Sequence, residues 1–145
     1  MRLLRTTPAL PVRDCAAAAD FYRDLLGFRV AHQDQGFAKV VRDDVQINLW
    51  QAGDQAWRTR TDPADGPVCS GAESFLAGTA SCRVEVDDVD GIYDEMRGQD
   101  VLHYADHGSA VETDFGTREF AVTDLDNNLI EFFTRMTPPP SAMAT

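Results

Sequence analysis

The sequence predicts an α+β protein built from two β-α-β-β-β modules, and three observations predict it. Residues Gly116 to Phe133 alternate apolar and polar side chains on both sides of a turn, which is typical of a β-hairpin. The segment from Val40 to Trp50 has the same design. A helical pattern of apolar residues precedes each hairpin. This repeated order of elements indicates an internal duplication.

The first module begins with a strand predicted from Thr6 to Val12. Pro8 and Pro11 lack a backbone donor, so this strand is expected at a sheet edge or in passage between units. A helix follows, with Asp14 as its N-cap and Gly27 at its C-terminal end. Three further strands are predicted at 28–32, 37–42 and 45–50.

The second module repeats this order after a long connection. Its first strand is predicted at 80–86, followed by a helix that Asp87 or Asp88 caps and that carries Val89, Tyr93 and Met96. Its remaining strands are predicted at 101–104, 117–123 and 128–134.

These elements predict one domain at residues 1–136. It comprises module one at about 6–51, a connection at about 52–79, module two at about 80–135 and, beyond the domain, a flexible tail at 137–145. Trp57 and Phe75 lie in the connection, where they either pin the loop to the core or contact a ligand.

The charge balance restricts the partners of the protein. Its 145 residues include 24 acidic and 13 basic side chains, which gives a formal net charge of -11. Phosphate backbones and anionic membranes repel such a chain, so neither nucleic acid nor a membrane is expected as a partner. The acidity either only maintains solubility or also attracts a cationic ligand.

The cysteines and the N-terminus indicate a compartment. Cys15, Cys69 and Cys82 are odd in number and form no CxxC motif, so we expect reduced thiols without a disulfide framework or a zinc site. The N-terminal apolar run is only Leu3-Leu4, which predicts no signal peptide. We therefore predict a cytoplasmic location.

Three motifs carry a family resemblance. They are AADFYRDLLGF at 18–28, VEVDDVDGIYDEM at 84–96 and GTREFAVTDLDNN at 116–128. With these motifs the chain resembles the vicinal oxygen chelate superfamily of glyoxalases, extradiol dioxygenases, thiol transferases and bleomycin-resistance proteins. The segments FAKVVRDDV at 37–45 and REFAVTDLDNN at 118–128 look most like the bleomycin-resistance branch.

That resemblance implies curved mixed sheets around a groove, in an intertwined homodimer with its sites at the subunit interface. It also implies that the protein binds a glycopeptide or similar cationic, aromatic antibiotic and sequesters it without chemical modification. Pro8 matches the place where the first segment of such proteins crosses to the partner chain. An ordinary edge-strand proline is the alternative.

Metal-dependent members of the superfamily use four groove-facing positions, which correspond here to Thr7, Asn48, Ser81 and Glu131. Only Glu131 is a strong ligand for a divalent cation, whereas a catalytic metal needs about three such ligands. His32, His103 and His107 lie away from these positions and are expected at the surface. We therefore expect no metal, no cofactor and no catalytic residue.

The resemblance and the strand alternation together predict the ligand-binding residues. Phe37 and Phe115 stand where drug binders hold aromatic rings against the bithiazole of bleomycin. Arg83 departs from this pattern, because a cation there opposes a cationic drug unless Glu85 or Glu131 neutralises it. Glu131 either is hydrogen-bonded for structure or holds a ligand amine. The full predicted set is Phe37, Asn48, Trp50, Ser81, Arg83, Glu85, Phe115, Glu131 and Phe133.

Two other functions stay open at this point. One is a metal-dependent, glyoxalase-like lyase, isomerase or thiol transferase that uses Glu131 with further ligands. The other is a sensor or carrier for a different metabolite.

Overall fold

A computed structural model describes residues 1–52 and 76–136 of the chain. These residues belong to two compact units. The first contains the described residues of 1–80 and the turn Asp124–Asn128, and the second contains Ser81–Thr123 and the described residues from Leu129 onward. Each unit has the predicted order of elements and is a mixed four-stranded sheet with one helix. Among the described residues, no helix is long and apolar enough to cross a membrane.

The first unit is a sheet with strand order β1-β4-β3-β2. Strand β1 is parallel to β4, and the other neighbouring strands are antiparallel. Because β1 is an edge strand and includes Pro11, the predicted edge position of this proline is confirmed. The elements are β1 Ala9–Val12, α1 Cys15–Leu26, β2 Arg29–Gln33, β3 Phe37–Arg42 and β4 Val45–Gln51.

Local signals set both ends of α1. The carboxylate of Asp14 accepts hydrogen bonds from the backbone N–H groups of Ala16 and Ala17, at 2.9 and 3.2 Å. Gly27 ends the helix in the left-handed conformation, with φ of 76°. A glycine adopts this conformation without the strain that a Cβ would cause. Both predicted ends of the helix are confirmed.

The core of the first unit lies between α1 and one face of the sheet. Helix α1 packs against β2, β3 and β4. Cys15 is buried there, and burial first, then nearby carboxylates, raises the pKa of its thiol to about 11, which keeps it protonated and inert at neutral pH. The other buried side chains here include Leu10, Val12, Ala18, Tyr22, Leu26, Ala38, Val40, Ile47 and Leu49.

The turn Asp124–Asn128 packs in the first unit through a buried carboxylate. Asp124 is 4% exposed and accepts hydrogen bonds from the Tyr22 hydroxyl and the Asn128 side chain, at 2.8 and 3.0 Å. The backbone N–H groups of Asp126 and Asn128 donate to its other oxygen. Burial raises the pKa of Asp124, and these hydrogen bonds only partly oppose that effect.

Asn128 extends this network to the edge strand. Its side-chain N–H donates to the carbonyl of Pro11 at 2.8 Å, and its side-chain oxygen accepts from the backbone of Ala80. Gly78 lies against the same turn with φ of +82°, and a Cβ at this position would lie 2.1 Å from the carbonyl oxygen of Asp126. Only glycine therefore fits here.

The second unit repeats the arrangement with strand order β5-β8-β7-β6. Strand β5 is parallel to β8, and the other neighbouring strands are antiparallel. The elements are β5 Ser81–Glu85, α2 Val89–Arg97, β6 Val111–Glu112, β7 Thr117–Thr123 and β8 Leu129–Arg135.

Helix α2 covers one face of the second sheet. Asp88 is its N-cap and accepts a hydrogen bond from the backbone of Gly91 at 2.9 Å. The ring of Tyr93 meets Phe120 edge-on, with 5.1 Å between the ring centres. Such edge-to-face pairs stabilise a core beyond the area that they bury.

The predicted sixth strand at Val101–Tyr104 is wrong. This segment forms only an isolated bridge between Leu102 and Val122, and the sixth strand is the short pair Val111–Glu112. The chain turns away after the bridge, because the backbone N–H of Asp106 donates to the carbonyl of His103 at 2.9 Å. Val101 is buried in the core, whereas Tyr104 is 94% exposed, so the segment does not extend the ladder.

Some predictions concern residues that the structure does not describe. Trp57, Cys69 and Phe75, most of the predicted connection and the predicted tail at 137–145 lie outside the described residues.

We predict that Asp124→Ala lowers the free energy of unfolding by about 3 kcal/mol, because it removes the buried carboxylate that accepts hydrogen bonds from Tyr22 and from the turn. Urea denaturation followed by circular dichroism measures the change. Leu125→Ala is the matched control in the same turn, since Leu125 is 50% exposed and should lose less than about 0.5 kcal/mol. Equal losses in the two variants would contradict the role of Asp124.

Candidate functional site

The second sheet has one face that α2 does not cover. On the helix side, Val84, Phe120 and Ile130 are buried. Successive side chains of a strand point to opposite faces, so the intervening residues share the other face, where they are exposed or half-buried. We call it the open face of the second sheet. It brings together the predicted site residues Ser81, Arg83, Glu85, Glu131 and Phe133, and adds Glu119, Ala121 and Leu129.

Arg83 is the centre of this open face. Its guanidinium donates hydrogen bonds to Glu131, on the neighbouring strand, and to Glu119 at 2.8 Å. The same guanidinium lies over the ring of Phe133, 4.5 Å from its centre. Arg83, on β5, thus contacts two carboxylates and an aromatic ring on the strands β7 and β8.

This cluster changes the protonation behaviour of its members. The hydrogen bond to Glu119 raises the pKa of Arg83 further above its ordinary range. Burial alone would raise the pKa of Glu119, but the hydrogen bonds from Arg83 and Thr117 outweigh it and lower that pKa. Both groups therefore stay charged across the neutral pH range. From the sequence, either Glu85 or Glu131 is expected to neutralise Arg83. Glu131 does so, together with Glu119.

A second ion pair flanks the first. Arg135 donates to Glu85 at 2.9 Å, and its guanidinium lies 5.9 Å from the centre of the Phe133 ring. The predicted partner Glu85 therefore binds Arg135 and is not among the partners of Arg83. Ser81 is exposed on the same face, opposite Leu129 in the ladder.

A crevice of about 170 Å³ opens beside the two carboxylates that hold Arg83. Ligand pockets for drug-sized molecules are usually larger than about 300 Å³, so this crevice suits one end of a ligand, such as an amine or an amidine. His103 and His107 lie on its rim; His107 is exposed as predicted and His103 is half-buried. The lining includes His103, Asp106, His107, Val111, Glu119 and Glu131.

The first sheet also has an open face, and it carries two more of the predicted aromatic residues. Phe37 and Trp50 are cross-strand partners whose rings meet edge-on, with 6.4 Å between their centres. The indole N–H of Trp50 is buried and has no hydrogen-bond partner among the described residues. Asn48 accepts a hydrogen bond from the side chain of Gln46 at 3.1 Å. Phe37, Asn48 and Trp50 are all half-buried on this face.

Phe115 lies in the turn before β7 and is 65% exposed. Gly116 follows it with φ of +85°, so the turn depends on a glycine there. An aromatic ring exposed to this extent adds little to folding but offers a flat surface to a ligand. Tyr104, in the connection between α2 and β6, is 94% exposed, and its ring contacts the tilted ring of His103 with 4.3 Å between the ring centres.

Two of the four positions that match metal ligands in the superfamily are engaged by other side chains of the protein. Glu131 is bonded to Arg83, and the amide oxygen of Asn48 accepts from Gln46. His32 pairs with Asp34 at 3.0 Å at the exposed end of β2. Within residues 1–52 and 76–136, no group of three or more His, Cys, Asp or Glu residues is placed to hold a metal ion.

Glu119 and Arg135 are the site residues that sequence reasoning missed. Alternation alone places Glu119 on the same face as Ala121 and Thr123, and Arg135 on the same face as Glu131 and Phe133. Their partners follow from the register, in which Glu119 pairs with Phe133 and Ala121 pairs with Glu131. The alternation of the strands was enough to place both residues on the open face. Their ion-pair partners could be identified only from the strand register.

Comparisons with known proteins agree with this architecture. The family described as the Glyoxalase/Bleomycin resistance protein/Dioxygenase superfamily matches residues 3–132. A protein named bleomycin resistance protein from Geobacillus stearothermophilus is 46% identical over 134 residues, which cover 92% of this chain and 98% of that protein. A protein of the same name from Staphylococcus aureus matches to the same extent.

Solved structures of bleomycin-binding and bleomycin-resistance proteins have the same fold. The bleomycin-binding protein of Streptomyces verticillus, solved in complex with copper(II)-bleomycin, aligns with a TM-score of 0.67 and 26% identity, over 91% of this chain and 96% of that one. A bleomycin resistance determinant encoded on the transposon Tn5 aligns with a TM-score of 0.65 and 20% identity, over 93% and 100%. On the family match and the sequence identity together, the chain belongs to the glyoxalase/bleomycin resistance protein/dioxygenase superfamily.

Proposed function

We propose that the protein binds a bleomycin-type antibiotic non-covalently and protects by sequestering it. The observation that carries this proposal is the high identity, over nearly the whole chain, to proteins named bleomycin resistance proteins. The charge of the chain supports it, since a formal net charge of -11 attracts a ligand with a cationic tail.

The open faces offer the contacts that such a ligand needs. We propose Phe37, Trp50, Phe115 and Phe133 as its aromatic contacts, because each ring is half-buried or exposed. A flat heteroaromatic group gains on the order of 1 kcal/mol from each ring in addition to the area that it buries. For the polar contacts we propose Asn48, Ser81, Glu85 and Glu131, all on the same open faces, together with Glu119. Arg83, the remaining predicted site residue, donates hydrogen bonds to Glu119 and Glu131.

We also propose that the protein is a homodimer, with binding sites at the subunit interface. The exposed apolar residues near the N-terminus support this, since Leu3 is 100% and Leu4 is 79% exposed in the single chain. Exposed apolar side chains next to each other favour association with another surface. The cytoplasmic location inferred from the sequence stays a prediction.

We predict that bleomycin quenches the tryptophan fluorescence of the protein in a saturable titration, with half-saturation at micromolar drug or below. The signal comes from Trp50 and Trp57. Metal analysis of the same sample is the companion measurement, because one tightly bound Zn, Mn, Ni or Fe per chain would favour the metal-dependent enzyme. A flat titration would contradict sequestration of this drug.

We predict that Phe115→Ala weakens bleomycin binding about tenfold, since it removes an exposed ring that stacks on the drug. Phe115→Tyr keeps the ring and should keep the affinity. Both variants should unfold at the wild-type urea concentration, because Phe115 is 65% exposed. An unchanged affinity in Phe115→Ala would remove this residue from the site.

We predict that analytical ultracentrifugation gives a mass twice that of one chain. The double variant Leu3→Asp, Leu4→Asp should shift the monomer–dimer equilibrium toward monomer, because two charges replace an apolar contact. Arg2→Ala with Arg5→Ala is the control on the same segment and should shift it less. A wild-type protein that is monomeric at every concentration would rule out the dimer.

A further inference from the structure

Arg83 already occupies the part of the open face of the second sheet that is best suited to a flat cation. Its guanidinium lies over the ring of Phe133 and donates to both Glu119 and Glu131. An aromatic ring beside two carboxylates is a strong attractor of a planar cation. The chain therefore fills this position with its own side chain.

A bleomycin-type ligand carries the same two kinds of group, a flat heteroaromatic system and a cationic tail. It would gain from Phe133, Glu119 and Glu131 the same interactions that Arg83 makes. Two cations that share the same carboxylate oxygens repel each other, so both cannot bind there in full. The ligand and Arg83 must therefore compete for this position.

We propose that Arg83 is a specificity-determining residue that acts as an internal competitor, which a cationic aromatic ligand displaces from Phe133, Glu119 and Glu131. This inference rests on the proposed function and adds to it the class of ligand that the face accepts. A neutral aromatic molecule gains nothing from the two carboxylates and cannot replace the guanidinium. A cationic ligand gains from both the ring and the carboxylates.

The contacts of Arg83 are suited to such an exchange. Its side chain is 41% exposed, and those of Glu119 and Glu131 are 19% and 29% exposed. Each ion pair that water reaches contributes about 1 kcal/mol or less, so a ligand that makes the same contacts can offset the cost of releasing Arg83 into water. The crevice of about 170 Å³ is lined by Glu119 and Glu131 and gives the incoming group room beside them.

Arg135 is a matched control for Arg83. It carries the same charge and lies near the same ring, at 5.9 Å from the centre of Phe133. However, it bonds to Glu85 and not to the two carboxylates that line the crevice. Removing either arginine changes the net charge by the same amount, so long-range attraction of a cationic drug increases equally in both variants.

The experiment compares Arg83→Met with Arg135→Met in titrations with bleomycin. We expect Arg83→Met to bind the drug about tenfold more tightly than wild type, a change of about 1.4 kcal/mol. Arg135→Met should differ from wild type by less than about threefold. Arg83→Lys keeps the charge without the planar fork and should lie between wild type and Arg83→Met.

Two outcomes would overturn the inference. Weaker binding in Arg83→Met would mean that Arg83 contacts the ligand directly and favours it. Equal tightening in Arg83→Met and Arg135→Met would mean that only the net charge matters. If Arg83→Met does not fold, Arg83→Lys against Arg135→Lys gives the same comparison.

A second probe separates this inference from the proposed function. Benzamidine joins an aromatic ring to a planar amidinium and is much smaller than the drug. We expect it to bind Arg83→Met at least threefold more tightly than wild type or Arg135→Met, as measured by NMR chemical-shift titration. If no variant binds bleomycin but benzamidine makes this distinction, the proposed function fails and the internal competitor stands. Equal benzamidine affinity in all three proteins overturns the internal competitor.

Discussion

The first unit depends on the buried carboxylate of Asp124, both oxygens of which accept hydrogen bonds. Asp124 receives donors from α1 through Tyr22 and from its own turn, and it orients Asn128 toward the carbonyl of Pro11 in β1. A charged group inside a protein is costly unless its oxygens are hydrogen-bonded. Helix, edge strand and turn therefore have one compatible arrangement. Moving the helix or the turn removes donors from this carboxylate, and moving the edge strand removes the acceptor of the Asn128 amide.

The second unit also has to compensate carboxylates in apolar surroundings, but these lie at its surface. Three carboxylates on its open face, Glu85, Glu119 and Glu131, lie among apolar side chains, and two arginines neutralise most of their charge. Each arginine also covers part of the Phe133 ring, which keeps that apolar surface from full contact with water. The face is thus nearly balanced in charge while it retains the chemistry that recognises a cation.

The sequence predicted most of this fold because the decisive signals are local. Asp14 and Gly27 mark the ends of α1, and alternation gave the exact bounds of β3 and β7. It failed at Val101–Tyr104, where an apolar segment turns away after one bridge, since backbone turning depends on hydrogen bonds that no residue pattern displays. At the site, alternation placed Arg83, Glu131 and Phe133 on one face. The contact between Arg83 and Glu119 spans three strands and required the strand order and register.

The same contacts bear on whether this face binds or reacts. A general base needs a carboxylate with free lone pairs and a pKa raised toward neutral pH. The hydrogen bonds from Arg83 and Thr117 do the reverse at Glu119, since they lower its pKa against the effect of burial. Glu131 matches a metal-ligand position, and one of its carboxylate oxygens accepts a hydrogen bond from the same guanidinium. The lowered pKa makes Glu119 a poor base. Both carboxylates already bind a cation, so the electrostatics of the face favour recognition of a cation over catalysis.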